Sequence, residues 1–132
     1  VIAPHTIVHT GLRWHVRAWC EKNQDFRDFV LSRFRGEADL MEESHRLSEQ
    51  DEDWQYIVTL TIAPDSRLSL EQQEVIAHDY NMSGGRLEIA VRAKLAPYLL
   101  QLLNVNTAEL LEDPRAQQLV LINQDEVNAW LM

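Results

Sequence analysis

The residues best equipped for chemistry lie close together near the start of the chain, in Arg13-Trp14-His15-Val16-Arg17-Ala18-Trp19. Read with a period of two, Arg13, His15 and Arg17 share one side of an extended segment. Trp14, Val16, Ala18 and Cys20 share the other, which is the expected core side. Guanidinium forks grip phosphate or carboxylate at two points, and an imidazole adds a donor that titrates near neutral pH. The chemistry predicted is anion binding. A second run, FRDFVLSRFR over 26–35, puts Arg27, Arg33 and Arg35 on one face with Phe29 and Leu31. If the two segments pair, their arginines converge on one surface, with Trp19 or Phe29 placed to stack on a base. The competing reading has the arginines paired with Glu21, Asp25 and Asp28 as ordinary edge charges.

Charge distribution sharpens this picture. The 132 residues carry a formal net charge of −9. Residues 1–35 hold six Lys/Arg against three acids, whereas the remainder holds six against eighteen. So acidic an average argues against the whole surface lying on nucleic acid, but it leaves room for a local basic patch. An apolar fraction of 45% and a charged fraction of 25% are ordinary for a globular chain. No apolar run approaches the roughly 20 residues of a membrane span, so no membrane role is expected. The single Cys20 excludes an intramolecular disulfide framework and fits a reducing, cytoplasmic compartment. The chain opens at Val1 inside an apparent strand, without an initiator Met or a basic-then-apolar leader, which reads as a fragment.

Other chemistry finds little support. Gly84-Gly85 follows a helix instead of opening one, so no phosphate-binding loop is present. His5 and His9 are four apart, which on a strand places them on one face but about 13 Å from each other, too far for one metal ion. No nucleophile elbow and no paired-carboxylate context occur. No cofactor, no metal and no enzymatic activity are expected.

The elements that must position these residues follow from pattern. Residues 1–10, 12–20 and 26–35 read as three strands with short links, closed by Gly11, the polar turn 22–25 and Gly36. The acidic stretch 37–53 is a short helix or a linker and holds a domain boundary. Residues 54–63 read as a strand stopped by Pro64-Asp65. Ser69 and Gln72 form a capping box ahead of a helix in which Leu70, Val75, Ile76 and Tyr80 have helical spacing. Residues 86–93 alternate as a strand, with Leu87, Ile89, Val91 and Ala93 on one side. Pro97 opens a helix through PYLLQLLN. A weaker helix is expected over 107–112, a buried strand over 119–122, and a helical turn in the tail. The second half is therefore a β-α-β-α-β unit.

VIAPHTIVHTGLRWHVRAWCEKNQDFRDFVLSRF resembles the later part of a WYL domain, in the version found in phage-defence-associated transcriptional repressors. Pro4-His5, Gly11, RWHVRAWC and FRDFVLSRF carry the likeness. From Trp54 on, LTIAPDSRL, EQQEVIAHDYNM, LEIAVRAKLAPYLLQLL and LVLIN resemble the C-terminal extension of such regulators, the WCX region. Trp14-His15-Val16 stand at the family's naming Trp-Tyr-Leu triplet, as in the subgroup with RWHVRA. The resemblance implies an α+β chain: a partial Sm-like or SH3-like antiparallel β-barrel over 1–45, then the WCX domain over 46–132. It implies the ligand-sensing and dimerisation region of a bacterial transcriptional regulator. The ligand would be a nucleotide or single-stranded nucleic acid, held by His5, Arg13, His15, Arg17 and Arg33. Operator DNA would be bound only through a winged helix-turn-helix absent from this chain, and the regulator would be a homodimer. The alternative is a dimerisation or docking module without a ligand, using the apolar helix around Tyr98, Leu99, Leu102 and Leu103.

Overall fold

The computed structural model describes residues 1–108 and 111–131. Packing divides the chain into two compact units, Val1–Gln55 and Tyr56 onward. Among the described residues the strands form two three-stranded antiparallel sheets, and neither closes into a barrel.

In the first unit β1 (Ile2–His9), β2 (Trp14–Cys20) and β3 (Asp25–Val30) form a meander in chain order. Gly11 at φ 94° turns the first hairpin, where a side chain would be strained. β3 ends at Val30, short of the expected Arg35, because Leu31–Arg33 winds into a 3-10 turn. Residues 34–47 carry no regular element and are exposed. A 3-10 turn at Ser48–Gln50 and a single helical turn α1 (Glu52–Gln55) follow. The acidic stretch is thus irregular chain first and helical turns second. Trp54, expected in a strand, sits buried on α1.

A bulge in β1 decides what this sheet can present. Pro4 pairs with Ala18 and Thr6 with Arg17, so His5 is an extra residue between consecutive partners. An inserted residue breaks the two-residue alternation. His5 and Thr6 both fall on the Arg17 side, while Ile7 and His9 pass to the side of Val16 and Trp14. The expectation that His5 and His9 share a face is therefore corrected: His9 packs edge-on against Trp14, 4.8 Å between ring centroids.

The second unit follows its pattern closely. β4 (Ile57–Pro64) is central, with β5 (Leu87–Arg92) on one side and β6 (Leu119–Leu121) on the other. α2 (Leu70–Asp79) begins at Ser69, whose hydroxyl accepts the Gln72 N–H while Gln72 Oε1 accepts the Ser69 N–H. Gly84 and Gly85, both at positive φ, form a two-residue turn between Ser83 and Arg86 that leads into β5. α3 (Ala96–Leu102) carries Pro97 in its first turn, and α4 (Gln124–Val127) closes the chain with a 3-10 turn. Leu60, Ile62 and Leu100 centre an aliphatic core joined by Ile76, Ala93, Ala96 and Leu119. Leu70, Val75 and Tyr80 of the expected helix stripe are exposed; Ile76 is the α2 residue that reaches the core, with Leu68 just ahead of the helix. Residues 107, 108, 111 and 112 are not helical, and 109 and 110 of that expected helix lie outside the described residues. Where β6 stops, the Asn123 side chain continues the ladder: its Oδ1 accepts the Thr61 N–H at 2.9 Å and its Nδ2 donates to Thr59 O at 2.7 Å.

Candidate functional site

Arg17 is at the centre of the first unit and is 3% exposed. Its Nε donates to Asp51 Oδ2 at 2.7 Å and its Nη2 to Asp51 Oδ1 at 2.9 Å, a two-point ion pair. Asp28 lies directly opposite Arg17 across the β2–β3 ladder, with Oδ1 at 3.6 Å from Nη1. The bulge brings in His5, whose Nε2 is 2.9 Å from Asp51 Oδ2 and whose Nδ1 is 2.7 Å from Thr6 Oγ1. An ionised carboxylate only accepts, so Nε2 carries a proton; in the neutral ring Nδ1 then accepts from the Thr6 hydroxyl. Asp51 has a further duty as the cap of α1, accepting the Trp54 N–H at Oδ1 (3.3 Å). The His5 ring packs between Phe26 and Trp54, each 5.6 Å away.

Electrostatics locks the Arg17–Asp51 pair in its charged form. Burial alone pushes the Asp51 carboxyl up, but hydrogen bonds from Arg17 and His5 and the Arg17 charge outweigh it, and its pKa falls below the ordinary carboxylate value. Burial likewise opposes the Arg17 charge, yet Asp51, Asp28 and Asp53 hold its pKa above the usual guanidinium range. The carboxylate reading of the arginine chemistry is therefore realised from within the chain.

Arg13, His15 and Arg33 form a different corner. His15 is buried, and burial first, then the Arg13 charge and, more weakly, Arg33, lower its pKa, with Asp28 pulling the other way. Its ring is thus held neutral near neutral pH. Arg13 and Arg33 are exposed, and among the described residues neither forms an ion pair. This corner carries excess positive charge.

Several expectations change. Both faces of β2 are covered: Val16, Ala18 and Cys20 on one side, His15 and Arg17 on the other, while Trp14 at the hairpin end is half exposed. Arg27 does not join Arg17. Its partner in the ladder is Ala18, so it faces the other way, and its Nε donates to Asp25 at 2.8 Å, as the edge-charge reading holds. Arg35 lies beyond β3 and donates to the Ser32 and Phe34 carbonyls.

Sequence reasoning missed Asp51, Trp54 and Arg46. Arg46 lays its guanidinium over the Trp19 indole, 4.0 Å from the ring centroid. Asp51 is one of eight acids within 37–53, and nothing in its type singles it out. The available signal was positional: an Asp three residues before a Trp, ahead of two acids, is a helix cap with a residue to bury. Among the described residues, no group of three or more His, Cys, Asp or Glu is arranged to hold a metal ion. Among the same residues, no helix is long and apolar enough to cross a membrane.

Comparison with known proteins places these two units in one class, transcriptional regulators. Residues 1–37 match the WYL domain, and residues 57–127 match the family described as BrxR transcriptional regulator, C-terminal dimerization domain. The chain belongs to that BrxR family, with WYL sequence ahead of its dimerization domain. Among its relatives is the DNA-binding transcriptional repressor CapW of Pseudomonas aeruginosa, 36% identical over 127 residues covering 96% of this chain and 42% of the relative. CapW of Stenotrophomonas maltophilia is 35% identical over 137 residues, 99% of this chain and 44% of the relative. CapW of Escherichia coli (strain KTE188) is 36% identical over 130 residues, 98% and 43% respectively. The chain spans somewhat more than two-fifths of the length of these relatives.

Proposed function

We propose that this chain is the sensing and pairing half of a cytoplasmic repressor of the CapW kind, concerned with phage defence. The second unit joins two copies. The meander, as part of an Sm-like barrel, takes a nucleotide or single-stranded nucleic-acid anion at the face built by His5, Arg13, His15, Arg17 and Arg33. The ligand undergoes no chemical change. Its differential affinity for two arrangements of the regulator shifts the population able to hold operator DNA, which is bound through a winged helix-turn-helix outside this chain.

The observation that carries the sensing reading is the Arg13–His15–Arg33 corner, where two exposed guanidinium groups lack a carboxylate partner among the described residues. Two guanidinium forks beside a neutral imidazole offer donors to a phosphate without a third fixed charge. The test is titration of the full chain with short thymidylate oligonucleotides and free nucleotides at low salt. Wild type should bind, and an Arg13→Ala/Arg33→Ala variant should lose about tenfold or more with a shallower salt dependence. Equal, weak binding of every anion by both proteins removes the sensor. Sedimentation should show a dimer.

The Arg17–Asp51 pair favours a second reading, in which the arginines are structural and the chain is a dimerisation module alone. A dimer that binds no anion would establish it.

A further inference from the structure

We propose that residues 46–51 are a built-in competitor for the nucleotide, holding the site closed until a ligand displaces them; this rests on the nucleotide-sensing reading above. Arg17 and Trp19 are two apart on β2, so they share a face with about 7 Å between them. A nucleotide binding there would lay its base on the indole and its phosphate in the guanidinium fork. Both places are taken by the chain itself. The Arg46 guanidinium stacks on Trp19 at 4.0 Å, and the Asp51 carboxylate fills the Arg17 fork at 2.7 and 2.9 Å. A flat cation stands where a base would lie, and two carboxylate oxygens stand where phosphate oxygens would accept.

Further features suit an exchangeable occupant. Residues 34–47 have no regular structure, so the strap can leave without breaking a ladder. The Gln55 side chain donates to Ser48 O, and the Gln55 N–H to Asp51 O, so residues 48–55 are tied to the seat of Asp51 and loosen together once its carboxylate leaves the Arg17 fork. Asp28 stays beside Arg17 when Asp51 departs, so the buried guanidinium keeps a counter-charge during the exchange. Charge complementarity holds the closed state: residues 37–53 carry eight acids and one arginine, against a net positive 1–35. α1 ends at Gln55 and β4 starts at Ile57, so release changes the segment that enters the dimerization unit.

The experiment titrates the full chain, Arg46→Ala and Asp51→Asn with thymidine 5′-monophosphate, a thymidylate tetramer and inorganic phosphate at low salt. Removing a tethered competitor raises the fraction of open sites, so each variant should bind the nucleotides about tenfold tighter. Phosphate, which does not use the stack, should gain more in Asp51→Asn than in Arg46→Ala. In wild type, saturating nucleotide should speed hydrogen exchange of the Trp54 and Gln55 amides, both of which donate to Asp51 in the closed state. Should Asp51→Asn not fold, Arg46→Ala and the wild-type exchange decide. Nucleotide binding with unchanged or weaker affinity in the variants and unchanged exchange overturns the competitor and leaves the sensor standing. Absence of binding by wild type and by every folded variant overturns both.

Discussion

Arg17, Asp51 and His15 occupy in the first unit the kind of position that Leu60, Ile62 and Leu100 occupy in the second. The two interiors respond differently to change. An aliphatic core is non-directional, draws on area removed from water, and has one favourable arrangement at every pH. An ionic interior depends on each partner being present and charged, and breaks when one is withdrawn. The dimerization unit is built in the first manner, and the unit that carries the WYL match is built in the second.

Asp51→Ala should make this contrast most visible. It removes the two-point partner of the buried Arg17, leaving Asp28 at 3.6 Å, and uncaps α1, and should destabilise the first unit by about 3–5 kcal/mol, leaving the unfolding of the second unmoved. Denaturant unfolding followed by residue-resolved amide exchange separates the two. The mirror experiment is Leu60→Ala, fully buried in the central strand, with an expected loss of about 2–5 kcal/mol confined to the second unit. If either substitution destabilised both units equally, the separation into two responses would be wrong. Ser69→Ala removes one half of the α2 capping box and should cost about 1 kcal/mol, read as a lower midpoint with unchanged denaturant slope. Acid should act on the first unit before the second, whose buried Asp65, held low by its Arg67 hydrogen bonds, adds a loss only below its unfolded value of 3.8. His15 has a lowered pKa when folded, so below its unfolded value of 6.5 the unfolded chain binds more protons and stability falls with pH. Asp51, also lowered, adds a second loss below its unfolded value of 3.8. Thermal midpoints between pH 8 and pH 3 test both, and a midpoint rising on acidification has the wrong sign. Arg27→Ala, which removes an exposed pair with Asp25, should leave both midpoints where they are.

Legibility in the sequence divides along the same line. In the second unit the alternation of Leu87, Ile89 and Val91, the Ser69–Gln72 box and Pro97 each report a local rule, and the β-α-β-α-β order follows from them. Helix α2 is the exception: its apolar spacing suggested a broad buried stripe, but the helix meets the core chiefly through Ile76. In the first unit the strands were legible, but the site was half so. His5 and Arg17 do converge, through a bulge that alternation cannot foresee and a carboxylate 34 residues downstream. Arg13, His15 and Arg33 form their own corner. Period two predicts which side a residue takes, and it is silent on what folds over that side.

Asn123 has a consequence for how copies of this chain can assemble. Its amide occupies the Thr59 and Thr61 backbone groups that β6 is too short to reach. A visiting strand would have to evict that side chain before it could zip along β4 from there. The side chain works as a stopper against strand addition along the part of β4 that β6 leaves uncovered.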